Sequence, residues 1–89
     1  PGRSDLLKQR AAAYELSGQL ELAREDADAL VKAYPNDASA LNQACWLRAK
    51  LGRDLETARA ECSLAVQLSG GDWRYVNSRG LVGLQQHRF

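Results

Sequence analysis

Two segments of this chain repeat one pattern in succession. Ala23 and Ala58 stand 35 positions apart, and so do Pro35 and Gly70. Each alanine follows a glycine and a short polar turn, sits in an amphipathic stretch, and is followed by a turn breaker. From Gly18 the words are GQLELAREDADALVKAYPND, and from Gly52 they are GRDLETARAECSLAVQLSGGD. A unit of two helical stretches recurring at this interval implies a stacked-helix array rather than a single closed core. Arrays of this kind usually bind other proteins, which sets the expected class of function.

Helix period runs through the whole sequence, and four Val, one Thr and no Ile argue against sheet. Ser4 is the expected N-cap of a first helix, with Leu6, Leu7, Ala11, Ala13 and Tyr14 as its apolar stripe and Gly18 as its stop. A second helix is expected over Leu20 to Ala33, turning Leu22, Ala23, Ala27, Leu30 and Val31 inward before Pro35-Asn36 breaks it. Asp37 should cap a third helix ending at Leu51, with Leu41, Ala44, Cys45 and Leu47 or Arg48 facing inward. Asp54 should cap a fourth, carrying Leu55, Ala58, Cys62, Ala65, Val66 and Leu68. After Ser69-Gly70-Gly71, Asp72 should cap a fifth helix reaching Gln86, with Val76, Leu81, Val82 and Leu84 on its apolar side. Such short links force neighbouring helices to pack antiparallel.

At 89 residues the chain is one small domain, 45% apolar and 26% charged, which is ordinary for a folded protein. A net charge of +1 with interleaved signs offers no basic face for nucleic acid. No apolar run approaches the roughly 20 residues of a membrane span. The absence of Met and the opening Pro1-Gly2 suggest a piece of a longer polypeptide.

These residue types and spacings resemble the tetratricopeptide repeat family, bacterial type. In the first unit, about 4–36, Leu7, Ala11, Tyr14, Gly18, Ala23, Ala27 and Pro35 stand at the family's positions, with Leu30 where a late alanine is usual. In the second, about 37–71, Leu41, Ala44, Cys45, Gly52, Ala58, Cys62 and Ala65 do so, with Gly70 where proline is usual. Val76, Gly80 and Gly83 continue the pattern in a capping helix or half repeat over 72–89. Small residues let paired helices approach closely while large ones fill the gap between hairpins. The glycines are 34 apart and the alanines 35, so the second turn, GRDLETA, holds one extra residue. The resemblance implies an α-α superhelix of antiparallel hairpins, about two and a half repeats in five helices. The stretch CWLRAKLGRDLETARAEC is also similar to repeats near the ends of larger bacterial proteins, some of them exported.

In the family's geometry Cys45 and Cys62 lie on touching faces of one hairpin. Two readings stand: a disulfide, whose Cα atoms must be about 4.4–6.8 Å apart, or two reduced thiols packed as small hydrophobes. A bridge over this loop would contribute about 3 kcal/mol and would favour a periplasmic over a cytoplasmic location. A redox-sensing thiol pair is disfavoured, since buried cysteines without basic neighbours are inert. Two Cys and one distant His do not make a zinc site.

The resemblance also places the helix A residues Asp5, Lys8, Ala12 and Glu15, then Asn42, Trp46 and Ala49, then Arg74, Asn77 and Leu81 on a concave face. From these, Lys8, Glu15, Asn42, Trp46, Arg74 and Asn77 are the candidate partner-binding residues. Trp46 is the large aromatic among them, and its alternative, the commoner outcome, is to pack as core. Lys8 and Arg74 match two places of the family's carboxylate clamp, but Ala12 and Ser78 depart from it, which argues against a clamp.

No catalytic or cofactor arrangement is evident. His87 lies near the end of the chain, where it reads as a solvated surface residue, and no glycine loop is placed to cradle phosphate. The acids Glu21, Glu25, Asp26, Asp28, Glu56 and Glu61, beside Arg24, Lys32 and Arg59, read most simply as solvated helix faces. The expected function is therefore a non-catalytic module binding a protein or peptide. The alternative is a structural, oligomerising or regulatory appendage of a larger, exported bacterial enzyme. For the last helix, capping the array and pairing with a second copy both remain open, with Gln85, Gln86 and Arg88 suiting a solvated end and Phe89 suiting a covered one.

Overall fold

The structure, a computed structural model, describes the backbone of residues 2–86 and the side chains of residues 4–84. His87, Arg88 and Phe89, and the side chains of Gln85 and Gln86, lie outside that range. The described residues are all helical or in turns: α1 (Gly2–Leu16), α2 (Leu20–Ala33), α3 (Ala38–Leu51), α4 (Leu55–Ser69) and α5 (Trp73–Gln86). Each helix lies against the one before it, and α5 also reaches α3. The boundaries of α2 and α3 fall where the breakers and caps place them.

Asp37 caps α3 as expected, its carboxylate accepting from the backbone N–H groups of Ser39 and Ala40 at 3.0 and 3.2 Å. The side chain of Asp72 accepts from the Arg74 N–H at 2.9 Å at the start of α5. Asp54 does not act this way. It holds φ 51° in the left-handed region and its side chain makes no capping bond. The extra residue of the second turn causes this. Gly52 already takes the left-handed step that ends α3, at φ 67°, so the surplus residue must absorb a second one, which costs an L-residue energy.

α1 also departs from expectation. It begins at Gly2 rather than after Ser4, and Ser4 is a buried helical residue instead of a cap. Leu6 and Ala13 of its expected stripe face solvent, while Ala11 is buried and Leu7 and Tyr14 are half-buried. Leu22 and Leu68 likewise point outward.

Two clusters of buried residues organise the interior. Ala23 and Ala27 of α2 meet Ala44 and Leu47 of α3, with Tyr14, Leu20 and Val31 at the edge. Cys45 and Ala49 of α3 meet Ala58 and Cys62 of α4 and Val82 of α5, with Leu81 at the edge. Three of the four buried residues in the first cluster are alanine and the second combines two alanines with two cysteines, small side chains that let helix backbones come close.

α5 splits its apolar residues between two sides. Ser78 and Val82 are buried, whereas Trp73 (70% exposed), Val76 and Leu84 are open. Trp73, Val76, Gly80 and Leu84 follow steps of three and four and so share one outward stripe. The single apolar side expected from Val76 to Leu84 is therefore two opposed faces.

Candidate functional site

Polar contacts between α1 and α3 bring together three of the six candidate residues, Lys8, Glu15 and Trp46. Lys8 donates from Nζ to Asp37 Oδ2 at 2.8 Å, tying α1 to the cap of α3. One helical turn into α3, the Gln43 side chain donates to the Lys8 carbonyl at 3.2 Å. Further along, Trp46 Nε1 donates to Glu15 Oε2 at 2.9 Å, and Lys50 Nζ donates to the same oxygen at 2.7 Å. The Lys50 ammonium also lies 5.4 Å from the Trp46 ring centroid, within cation–π range.

Trp46 is thus half-buried and fixed in orientation. Its N–H is satisfied by α1, one side of its ring is covered by a cation, and part of it remains open. Asn42 lies one turn earlier on α3. Its Oδ1 is buried and accepts no hydrogen bond from the described residues, and the same holds for Gln43 Oε1. Buried acceptors without donors are uncommon in folded proteins and call for a physical reason.

Electrostatics at Asp37 follow from competing causes. Burial raises its carboxyl pKa, but the Lys8 ammonium and the N–H groups of Ala40 and Ser39 outweigh it, holding the pKa below 3.8. Arg74 and Asn77 stand apart from this cluster. Arg74 is folded back on Asp72 by bonds of 3.1 and 2.8 Å, and both it and Asn77 are exposed. Ala49, expected on the same face, is buried in the α3–α4–α5 cluster.

A second polar array was missed as such in the sequence. Arg48 of α3 donates to Glu61 of α4 at 3.0 Å and also bonds Asp28 of α2. Arg24 pairs with Asp28 and Glu21, and Arg53 pairs with Glu21. Asp26 is buried too, held by two bonds from Arg10 of α1 at 2.7 and 2.8 Å. Asp26 and Glu61 are therefore internal ties between helices rather than solvated faces. Burial pushes the Glu61 carboxyl above its ordinary value, against the pull of Arg48. Burial opposes the charge of Arg48 as well, and its two carboxylates more than restore it. The signal available in the sequence was the recurrence of an acid 35 residues on, Asp26 then Glu61, inside each second helix.

Cys45 and Cys62 meet at disulfide-bonding distance, with Cα atoms 5.6 Å apart and both side chains fully buried. Among the described residues no cluster of His, Cys, Asp or Glu could hold a metal ion, and no helix is long and apolar enough to cross a membrane. A shallow pocket of about 390 Å³ opens at the α1–α2 turn, lined by Leu20, Leu22 and Leu51 with Gly18, Gln19 and Glu21. No protein-family model matches the chain, and neither a curated protein nor a solved structure matches it.

Proposed function

We propose that this chain is a tetratricopeptide-like, non-catalytic interaction module that takes up a protein or peptide segment along the α1–α3 face. The observation that carries this reading is the fixed, half-open Trp46, whose N–H is held by Glu15 and whose ring lies under the Lys50 ammonium. An oriented aromatic is the commonest kind of interface anchor. Lys8 and Glu15, already paired within the protein, act here by fixing the shape of the face more than by offering free charge. Arg74 and Asn77 would meet a longer segment only if it extended to α5.

The test is parallel capture of binding partners by the wild-type protein, Trp46→Ala and Arg59→Ala, the last on the exposed side of α4. A partner of this face is retained by Arg59→Ala and loses about 2 kcal/mol or more with Trp46→Ala. Retention by Trp46→Ala places the contact elsewhere. In a Trp73→Phe background, Trp46 fluorescence should shift on binding.

The outward stripe of α5 favours a second reading, assembly with another copy as an appendage of a larger enzyme. Trp73, Val76 and Leu84 are exposed together, and apolar faces of this kind commonly mark association. Light scattering decides it: a dimer that Trp73→Ser converts to monomer supports assembly, and a monomer at high concentration opposes it.

A further inference from the structure

We propose that the Cys45–Cys62 bridge is the seat of α5, so that thiol–disulfide state and the docking of the C-terminal helix control one another. The cluster under Val82 consists of the two cysteines with Ala49 and Ala58. The alanines contribute single methyl groups, so the cystine is the bulkier part of the cluster that Val82 joins. When the sulfurs are no longer bonded they need van der Waals separation, and α3 and α4 must spread or the side chains must turn. Either response reshapes a close-packed contact, which interiors tolerate poorly.

α5 has little helix-forming tendency of its own. Gly80 and Gly83 lie in its interior, where each costs about 1 kcal/mol of helix propensity relative to Ala. No neighbour requires their smallness, since a Cβ at either would meet nothing within 4 Å. Trp73, Val76 and Leu84 of its outward stripe remain exposed. Its docking therefore depends on the face that carries Val82, Leu81 and Ser78.

Docking in turn controls reduction through access. Both sulfurs are fully buried, so an external thiolate reaches them only after α5 lifts or the hairpin opens. A dithiol reductant then attacks one sulfur, forming a mixed disulfide and releasing the other cysteine as a thiolate that takes up a proton. The second thiol of the reductant displaces the first cysteine, so two electrons and two protons pass to the protein and the reductant leaves as a disulfide. The device is a slow latch governed by helix opening. It does not need an activated thiolate on this chain, and it stands independently of the α1–α3 face.

The experiment uses the air-oxidised chain with dithiothreitol as reductant, following the gain of two hydrogens by mass. Val82→Ala should speed reduction about tenfold, and Gly80→Ala should slow it measurably. Leu30→Ala in α2 serves as a control that weakens the fold away from the seat. In hydrogen exchange, reduction should raise the rates of α5 amides about tenfold more than those of α2. If Leu30→Ala accelerates reduction as much as Val82→Ala, opening is global and the proposal fails. It fails equally if Gly80→Ala has no effect, if exchange rises evenly over all helices, or if the oxidised preparation retains two free thiols. Should Val82→Ala not fold, Leu81→Ala at the edge of the same cluster takes its place.

Discussion

The two hairpins share a register and solve the same problem with different chemistry. Where α1 and α2 have Ala11 and Ala27, α3 and α4 have Cys45 and Cys62; where the first has Tyr14 and Asp26, the second has Arg48 and Glu61. In the first hairpin Asp26 is reached by Arg10, whose side chain is 59% exposed, and Tyr14 lies beneath that guanidinium at 5.8 Å. In the second, Arg48 has moved into the Tyr14 position and is only 10% exposed. Its charge is enclosed by carboxylates from α2 and α4. One hairpin is tied from its surface and the other from within, so equal substitutions should have unequal costs.

The largest expected difference is at these arginines. Arg48→Met leaves the buried Glu61 without a cation, while the partly exposed Asp28 keeps Arg24, and should cost about 3 kcal/mol in urea unfolding. Arg10→Met should cost clearly less, because water reaches Asp26 once the exposed guanidinium is gone. Equal losses would break the comparison. Adding Glu61→Leu to Arg48→Met should recover part of the loss, since the cost is mostly that of an unpaired buried charge.

Next in size is the joint between hairpins. Asp37→Ala removes the cap of α3 and the partner of Lys8 together and should cost about 1–2 kcal/mol at neutral pH. The folded pKa of Asp37 is depressed, so its contribution is present above the ordinary value of 3.8 and lost as pH falls through the lower folded value. The stability difference between wild type and Asp37→Ala should therefore close in strong acid. A difference that persists there would mean that the carboxylate charge is not what holds the joint. Glu61 has the opposite sign: its raised pKa makes its contribution greatest in acid and diminished as pH rises through the folded value.

The smallest effect sharpens the contrast of the turns. In the first hairpin a single left-handed residue, Gly18 at φ 81°, closes the turn. The second spends Gly52 and then Asp54 on left-handed conformations. Asp54→Gly should stabilise by up to about 1 kcal/mol, because no capping bond is lost and the strain on Cβ is relieved. A loss on this substitution would show that Asp54 has a role at the α4 terminus that its geometry does not reveal.

Much of the scaffold was legible in the residues. Helix period, glycine and proline breaks and the cap at Asp37 locate α2 and α3 to the residue, because such signals are local and act within one turn of chain. The meeting of Cys45 with Cys62 is what the resemblance to the tetratricopeptide repeat implied. Less of the candidate site was legible. The bond from Trp46 to Glu15 and the placing of both Lys8 and Lys50 on α1–α3 partners join residues about 30 positions apart, and nothing in either stretch names the other. Leu6, Ala13, Leu22 and Leu68 were misplaced because apolar residues at helical spacing do not say how wide the buried stripe is.

By itself the sequence determined the number of helices, the places where they stop and the pairing of α3 with α4. These depend on backbone preferences and on a repeat that brings equivalent residues to equivalent faces. Only the tertiary structure decided which charges go inside. Arg48, Asp26 and Glu61 have the composition of a solvated surface, and burial is favourable for them only once another helix supplies the opposite charge at hydrogen-bonding distance. That condition is a property of the packed array and of no single segment in it.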